Sequence, residues 1–95
     1  MEKKVKKALH WNAMIIKLYE VEKTNGFTSS VNNIETFDLN GSLLWTAEPP
    51  NSPMDFYWDI KIDTISNIVL AYTAKSFLAK IDLNTGKTLE FHMIK

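Results

Sequence analysis

Phe37-Asp38-Leu39-Asn40-Gly41-Ser42-Leu43-Leu44-Trp45 is one of two versions of the same phrase. The other is Ile81-Asp82-Leu83-Asn84-Thr85-Gly86-Lys87-Thr88-Leu89-Glu90-Phe91. Asp38, Leu39 and Asn40 match Asp82, Leu83 and Asn84 at an offset of 44 residues. The second turn is longer by one residue, so Gly41 and Leu44 meet Gly86 and Leu89 at 45. Each copy reads as strand, tight turn, strand, because an Asn-Gly or Asn-Thr-Gly step supplies the positive φ that a hairpin needs. A repeat length in the low forties is that of one four-stranded antiparallel unit.

Working outward, residues 5–11 alternate, with Val5, Leu9 and Trp11 on one side and Lys6, Ala8 and His10 on the other. Asn12-Ala13 makes a two-residue turn, and Met14 to Val21 is rich in β-branched and aromatic residues. A helix from Val5 to Glu20 is the competing reading; Trp11, Ile15, Ile16, Tyr19 and Val21 favour a pleated surface instead. Lys23 to Asn33 is polar and turn-rich. Glu48-Pro49-Pro50-Asn51-Ser52-Pro53 cannot continue a central strand, since proline lacks the ladder donor, and it divides the copies. In the second copy Trp58, Ile60 and Ile62 are expected on one face of a strand, with Tyr57, Asp59, Lys61 and Asp63 on the other. Ile68–Ala74 and Phe77–Leu83 follow, and a last strand, Thr88–Ile94, points Leu89, Phe91 and Met93 one way. The first hairpin turns, at Asn12 and Asn67, lie 55 residues apart and the later ones 44. The surplus of 11 is about the extra length of the Lys23–Asn33 loop over the Lys75-Ser76 turn. The count is eight strands: a first unit at about 5–48, a linker at 49–55 and a second unit at about 56–95, within a single domain spanning 1–95.

The 95 residues are 45% hydrophobic, enough for one small core. Eleven lysines balance eleven carboxylates and there is no arginine. Nucleic acid is therefore not expected as a partner, since phosphate and base readers lean on the arginine fork. With no cysteine, neither a disulfide frame nor a thiolate metal site can form. Lys3, Lys4, Lys6 and Lys7 precede Leu9-His10-Trp11-Asn12 rather than an apolar signal core, and no apolar run spans a bilayer. The expectation is a cytoplasmic protein with no membrane contact.

Asp82-Leu83-Asn84-Thr85-Gly86-Lys87-Thr88-Leu89 resembles the repeat of quinoprotein-type β-propellers, in which an Asp, a Thr-Gly turn and a Trp recur in each blade. Trp45 stands at that tryptophan position in the first copy and Glu90 in the second. Leu44-Trp45, Glu48-Pro49-Pro50, Ala71-Tyr72-Thr73 and Ile81-Asp82 also resemble small bacterial proteins of two such blades, encoded beside polymorphic toxins and acting as immunity proteins. The resemblance implies an all-β fold of two four-stranded antiparallel propeller-like blades. It does not carry over the quinone cofactor, whose site needs a full ring of blades. No cofactor and no metal site are expected.

His10 and His92, the two histidines, could pair with Asp38 or Asp82 in acid–base chemistry. The recurrence of Asp38 and Asp82 before their turns points instead to carboxylates that accept backbone N–H groups. From Glu20 to Asp63 eight acids face two lysines, a local net charge of −6. Such a stretch suits a basic partner, and a nuclease must carry a basic groove. Glu48, Asp55, Phe56, Tyr57, Asp59 and Asp63 are the expected partner-binding residues, combining acids with aromatic anchors beside the proline linker. The expected function is a non-catalytic immunity protein binding a basic toxin, with a nuclease favoured. The alternatives are a propeller fragment forming a homo-oligomeric scaffold or ligand-binding ring, and a small enzyme built on the histidines and aspartates.

Overall fold

The computed structural model describes residues 4–21 and 30–94. Residues 23–29 of the Lys23–Asn33 loop lie outside that range. The described chain is all-β. Sheet 1 is a meander of β1 (Val5–Trp11), β2 (Met14–Tyr19), β3 (Ile34–Asp38) and β4 (Leu43–Thr46), in that spatial order. Sheet 2 repeats it with β5 (Tyr57–Asp63), β6 (Ile68–Thr73), β7 (Phe77–Asp82) and β8 (Thr88–Met93). All ladders are antiparallel, and neither sheet closes into a barrel. Residues 5–20 form strands and not a helix: Asn12 (φ 55°) and Ala13 (φ 61°) make the mirror-image turn whose twist suits a hairpin.

The repeated phrase folds as its residues dictate. Gly41 and Gly86 hold φ of 86° and 78°. Asp38 Oδ1 accepts the N–H groups of Asn40 and Ser42, both at 2.9 Å. Asp82 Oδ1 accepts that of Asn84 at 2.8 Å. The two aspartates are turn caps.

One core lies between the sheets. It takes Ile16 and Leu18 from β2, Ile34 from β3 and Trp45 from β4. It takes Ile60, Val69, Ala71, Ala79 and Ile81 from sheet 2, with Leu83 beyond β7. Trp45 crosses the interface, its Nε1–H donating to Leu83 O at 2.9 Å, while its ring covers Gly86. Asn33, buried beside β3, also joins the sheets. Its Nδ2 donates to Tyr19 O and Tyr57 O at 2.8 Å each, and its Oδ1 accepts the Tyr57 N–H at 2.9 Å.

The ladders repeat down to their irregularities. The first strands bulge at Lys6 and at Trp58, and the last ones at Leu44 and at Leu89. These bulges correct three expectations. The extra Lys6 sets Val5 opposite Tyr19, exposed and on the other side from Leu9 and Trp11. An extra residue reverses the alternation beyond it, so Tyr57 turns into the core (1% exposed) and Trp58 out (55% exposed). Leu89, expected on the side of Phe91, is likewise exposed, and Thr88 shares the inner side with Phe91 through its pairing with Ile81.

The two sheets use opposite faces. The pairs Met14↔Asp38 and Ile68↔Asp82 align them residue by residue. Ile16, Leu18, Ile34 and Thr36 point into the core from sheet 1. Their counterparts Leu70, Tyr72, Leu78 and Lys80 lie half-buried on the outer face of sheet 2. Sheet 2 turns inward Val69, Ala71, Ala79 and Ile81, whose counterparts Ile15, Lys17, Glu35 and Phe37 lie on the outer face of sheet 1.

Candidate functional site

The six residues expected to bind a partner separate on folding. Asp55 is fully buried and is a structural hub. Its Oδ2 accepts the Ser52 hydroxyl at 2.6 Å, and its Oδ1 accepts the N–H groups of Phe56 at 2.8 Å and Lys75 at 3.1 Å. Its backbone is held by Val31 N–H and by the Ser30 hydroxyl. One carboxylate thus gathers donors from the proline linker, from the residue after it and from the β6–β7 turn. Phe56 and Tyr57 are also interior, at 5% and 1% exposure. Asp55, Phe56 and Tyr57 are thus part of the packing, with Phe56 and Tyr57 also lining a small cavity of about 180 Å³ beside Lys6 and Trp58, and Asp59 does not share a face with Tyr57. The Tyr57 hydroxyl donates to Glu48 O at 2.6 Å. Burial, with the Glu48 and Asp55 charges adding to it, pushes this hydroxyl well above the usual tyrosine range. Burial, aided by a hydrogen bond to Glu35, likewise pushes Tyr19 up to about 12.

Asp63 caps its own turn, its Oδ1 accepting the N–H groups of Ile65 and Ser66. Asp59 is paired with Lys7, whose Nζ donates to Asp59 Oδ1 at 2.9 Å and to Ile60 O at 2.8 Å. The Lys7 hydrogen bond, with help from the Ile60 N–H and from the charges of Lys7 and Lys6, holds the Asp59 carboxyl below the ordinary 3.8, against a smaller opposing effect of burial. A depressed folded-state value gives stability that is present above the unfolded value and lost as pH falls through the folded one. Acid titration below pH 3.8 should therefore destabilise the parent more than Asp59→Asn, by a small margin because the pair is over a third exposed. Identical acid-unfolding curves for the two would show that the pair contributes nothing.

Glu48 stands at an open cavity. A cleft of about 630 Å³ runs between the linker and β8, lined by Glu48, Pro49, Pro50, Leu89, Glu90 and Phe91. The prolines keep the linker from pairing with β8, and the Leu89 bulge lifts an apolar side chain to the rim. Glu48 Oε1 accepts the Thr88 N–H at 2.8 Å, fixing one carboxylate at the start of β8. Glu90 supplies a second, 3.6 Å from Lys80 Nζ. As the edge strand of sheet 2, β8 is paired on one side. The cleft offers two carboxylates, exposed leucine and a strand edge together. Sequence reasoning missed Leu89 and Glu90; the signal was Glu90 standing where the first copy has Trp45.

The two histidines are exposed on different sheets, His10 opposite Ile15 in β1 and His92 opposite Leu78 in β8. Asp38 and Asp82 are engaged in their turns. Among the described residues no three His, Asp or Glu side chains group as metal ligands. No helix there is long and apolar enough to cross a membrane. No curated protein and no solved structure matches the chain. A family model described as a domain of unknown function, DUF7957, matches residues 1–93, and the chain belongs to that family.

Proposed function

We propose that the protein is a non-catalytic binding module that holds a basic protein partner in the cleft between the linker and β8. In its specific form it is a cytoplasmic immunity protein against a toxin, with a nuclease as the toxin class. The observation that carries the reading is the pairing of Glu48 and Glu90 across a cleft with an apolar rim and a strand edge. Carboxylates attract a basic surface at long range, and a rim that excludes water strengthens their contact at short range. An extended partner segment could also pair with the free edge of β8, where main-chain bonds add affinity. The acidic stretch from Glu20 to Asp63 supports the same sign of partner, since a phosphodiester-cleaving toxin carries a basic groove. The resemblance to two-blade immunity proteins supports the class.

The test starts from capture of the partner by the tagged protein in its native cell and identification by mass. The expected partner is a basic protein whose nuclease activity falls when the two are mixed. Reversing both acids, in Glu48→Lys with Glu90→Lys, should slow association by about 10-fold or more at low salt, steering being worth roughly 10–10³ in rate. The parent's advantage should shrink as salt shortens the screening length. Circular dichroism would verify that the variant stays folded. Equal association rates for parent and double variant, or undiminished nuclease activity in the mixture, would overturn the reading.

A further inference from the structure

Two sheets that pack by a twofold axis turn equivalent residues toward each other. These sheets do the opposite. Ile16 and Leu18 face inward while their counterparts Leu70 and Tyr72 face out; Val69 and Ala71 face inward while Ile15 and Lys17 face out. The interface within the chain is therefore heterologous: one kind of face meets the other kind. Each kind also remains on an outer face, the counterpart of sheet 2's inner face on sheet 1 and the reverse. A heterologous contact does not use itself up, and repeating it builds a ring or a filament.

We propose that copies of this chain assemble head to tail, the outer face of sheet 2 in one copy packing on the outer face of sheet 1 in the next, in the arrangement the two sheets adopt within the chain. The join rests on the two outer sheet faces and shares only Glu90 with the cleft.

Three observations support a second copy as the occupant. The middle of each outer face keeps large apolar side chains: Ile68, Leu70, Tyr72 and Leu78 on sheet 2, and Ile15 and Phe37 on sheet 1, all half-buried and none inside the core. The second observation is charge complementarity where β1 meets β5. Lys6 Nζ sits 3.2 Å from the centroid of the Trp58 ring, and Lys7 pairs with Asp59. Lys6 and Trp58 are equivalent bulge residues, and Lys7 and Asp59 follow them. Repeating the same step brings Trp58 and Asp59 of one copy to Lys6 and Lys7 of the next. Each of those lysines is already held by Trp58 or Asp59 of its own chain, so the cation would be shared between its own ring or carboxylate and that of the neighbouring copy. Trp58 keeps over half its surface exposed to receive it.

The third observation is Gly41. Its counterpart Gly86 is covered by the Trp45 indole, whereas a methyl group at Gly41 would meet nothing within 4 Å. The landing place occupied inside the chain is vacant at its end. Glu90 stands at the Trp45 position on the opposite end, and Lys17, Glu35 and Lys80 replace Ala71, Ala79 and Thr36. The join between copies is consequently more polar than the join within a copy, and reversible on dilution.

Sedimentation of the parent over a range of concentration should show a mass rising above that of one chain. Leu70→Arg blocks the outer face of sheet 2, and Ile15→Arg that of sheet 1; each variant alone should remain a single chain. An equimolar mixture should form a species of twice the chain mass, because each variant keeps the face the other has lost. The proposal is overturned if the parent stays a single chain at every concentration. It is overturned as well if either folded variant associates with itself, which would mean like faces pair, or if the mixture of folded variants does not. Circular dichroism establishes folding, and the parent's own mass decides the matter should either arginine prevent it.

Discussion

Gly86→Ala should destabilise the fold by about 4 kcal/mol, against about 1 kcal/mol for Gly41→Ala. Both glycines hold positive φ, so both substitutions strain the backbone, and that strain is the whole effect at Gly41, where a methyl group meets open space. At Gly86 the methyl would lie 2.6 Å from Trp45 Cδ2. The indole is rigid and its N–H is committed to Leu83 O at 2.9 Å. Moving it breaks that bond in a buried place and opens the seam between the sheets, each costing roughly 1–3 kcal/mol. Urea unfolding of the two variants beside the parent reads the difference directly. Equal midpoints would mean that Trp45 does not rest on Gly86.

Asp55→Ala should cost about 4 kcal/mol, although it removes only one small side chain. The carboxylate accepts three donors, from Ser52, Phe56 and Lys75, and it lies at 0% exposure. Alanine would leave the Ser52 and Phe56 donors without partners in the interior, at roughly 1–3 kcal/mol for each one fully buried, and the partly buried Lys75 N–H at less. Asp55→Asn keeps the shape but turns an N–H₂ toward at least one donor, so it should fall between alanine and the parent. Charge reversal by Asp55→Lys should abolish folding, the opposite of what a surface carboxylate would do. Thermal unfolding of the three, with Asp59→Asn as an exposed comparison, sets the order. An Asp55→Ala variant as stable as Asp59→Asn would remove Asp55 from the interior.

The repeat was legible because tight turns are local chemistry. Asp38 and Asp82 cap their own turns within four residues, and the positive φ at Gly41 and Gly86 is a property of one residue each. Strand order followed, since a meander joins each strand to its neighbour in sequence. What alternation alone concealed were the bulges: no residue type marks Trp58 or Leu89 as extra, and one extra residue exchanges inside for outside. Asp55 was misjudged for a related reason. An aspartate beside three aromatics reads as an interface, and only the burial of the site and the arrival of Lys75 from 20 residues away reveal a cap. Asn33, read as part of a polar loop, is a clamp between sheets, for which the sequence carries no local sign.

The division of labour between near and far contacts bears on how the chain finds its structure. Five of the six ladders close turns of two to five residues and only the β2–β3 ladder closes a longer one, over 20–33, so each meander can form at modest entropic cost. The bonds from Asn33 to Tyr57 and from Trp45 to Leu83 span 24 and 38 residues, and they belong to the docking of one meander on the other. Docking is then the late step in folding and its reversal the first large opening. In amide exchange, the core-facing strands β2 and β6 would lose protection together, while the turns at Asp38 and Asp82 could persist in the opened state as local relics of the hairpins.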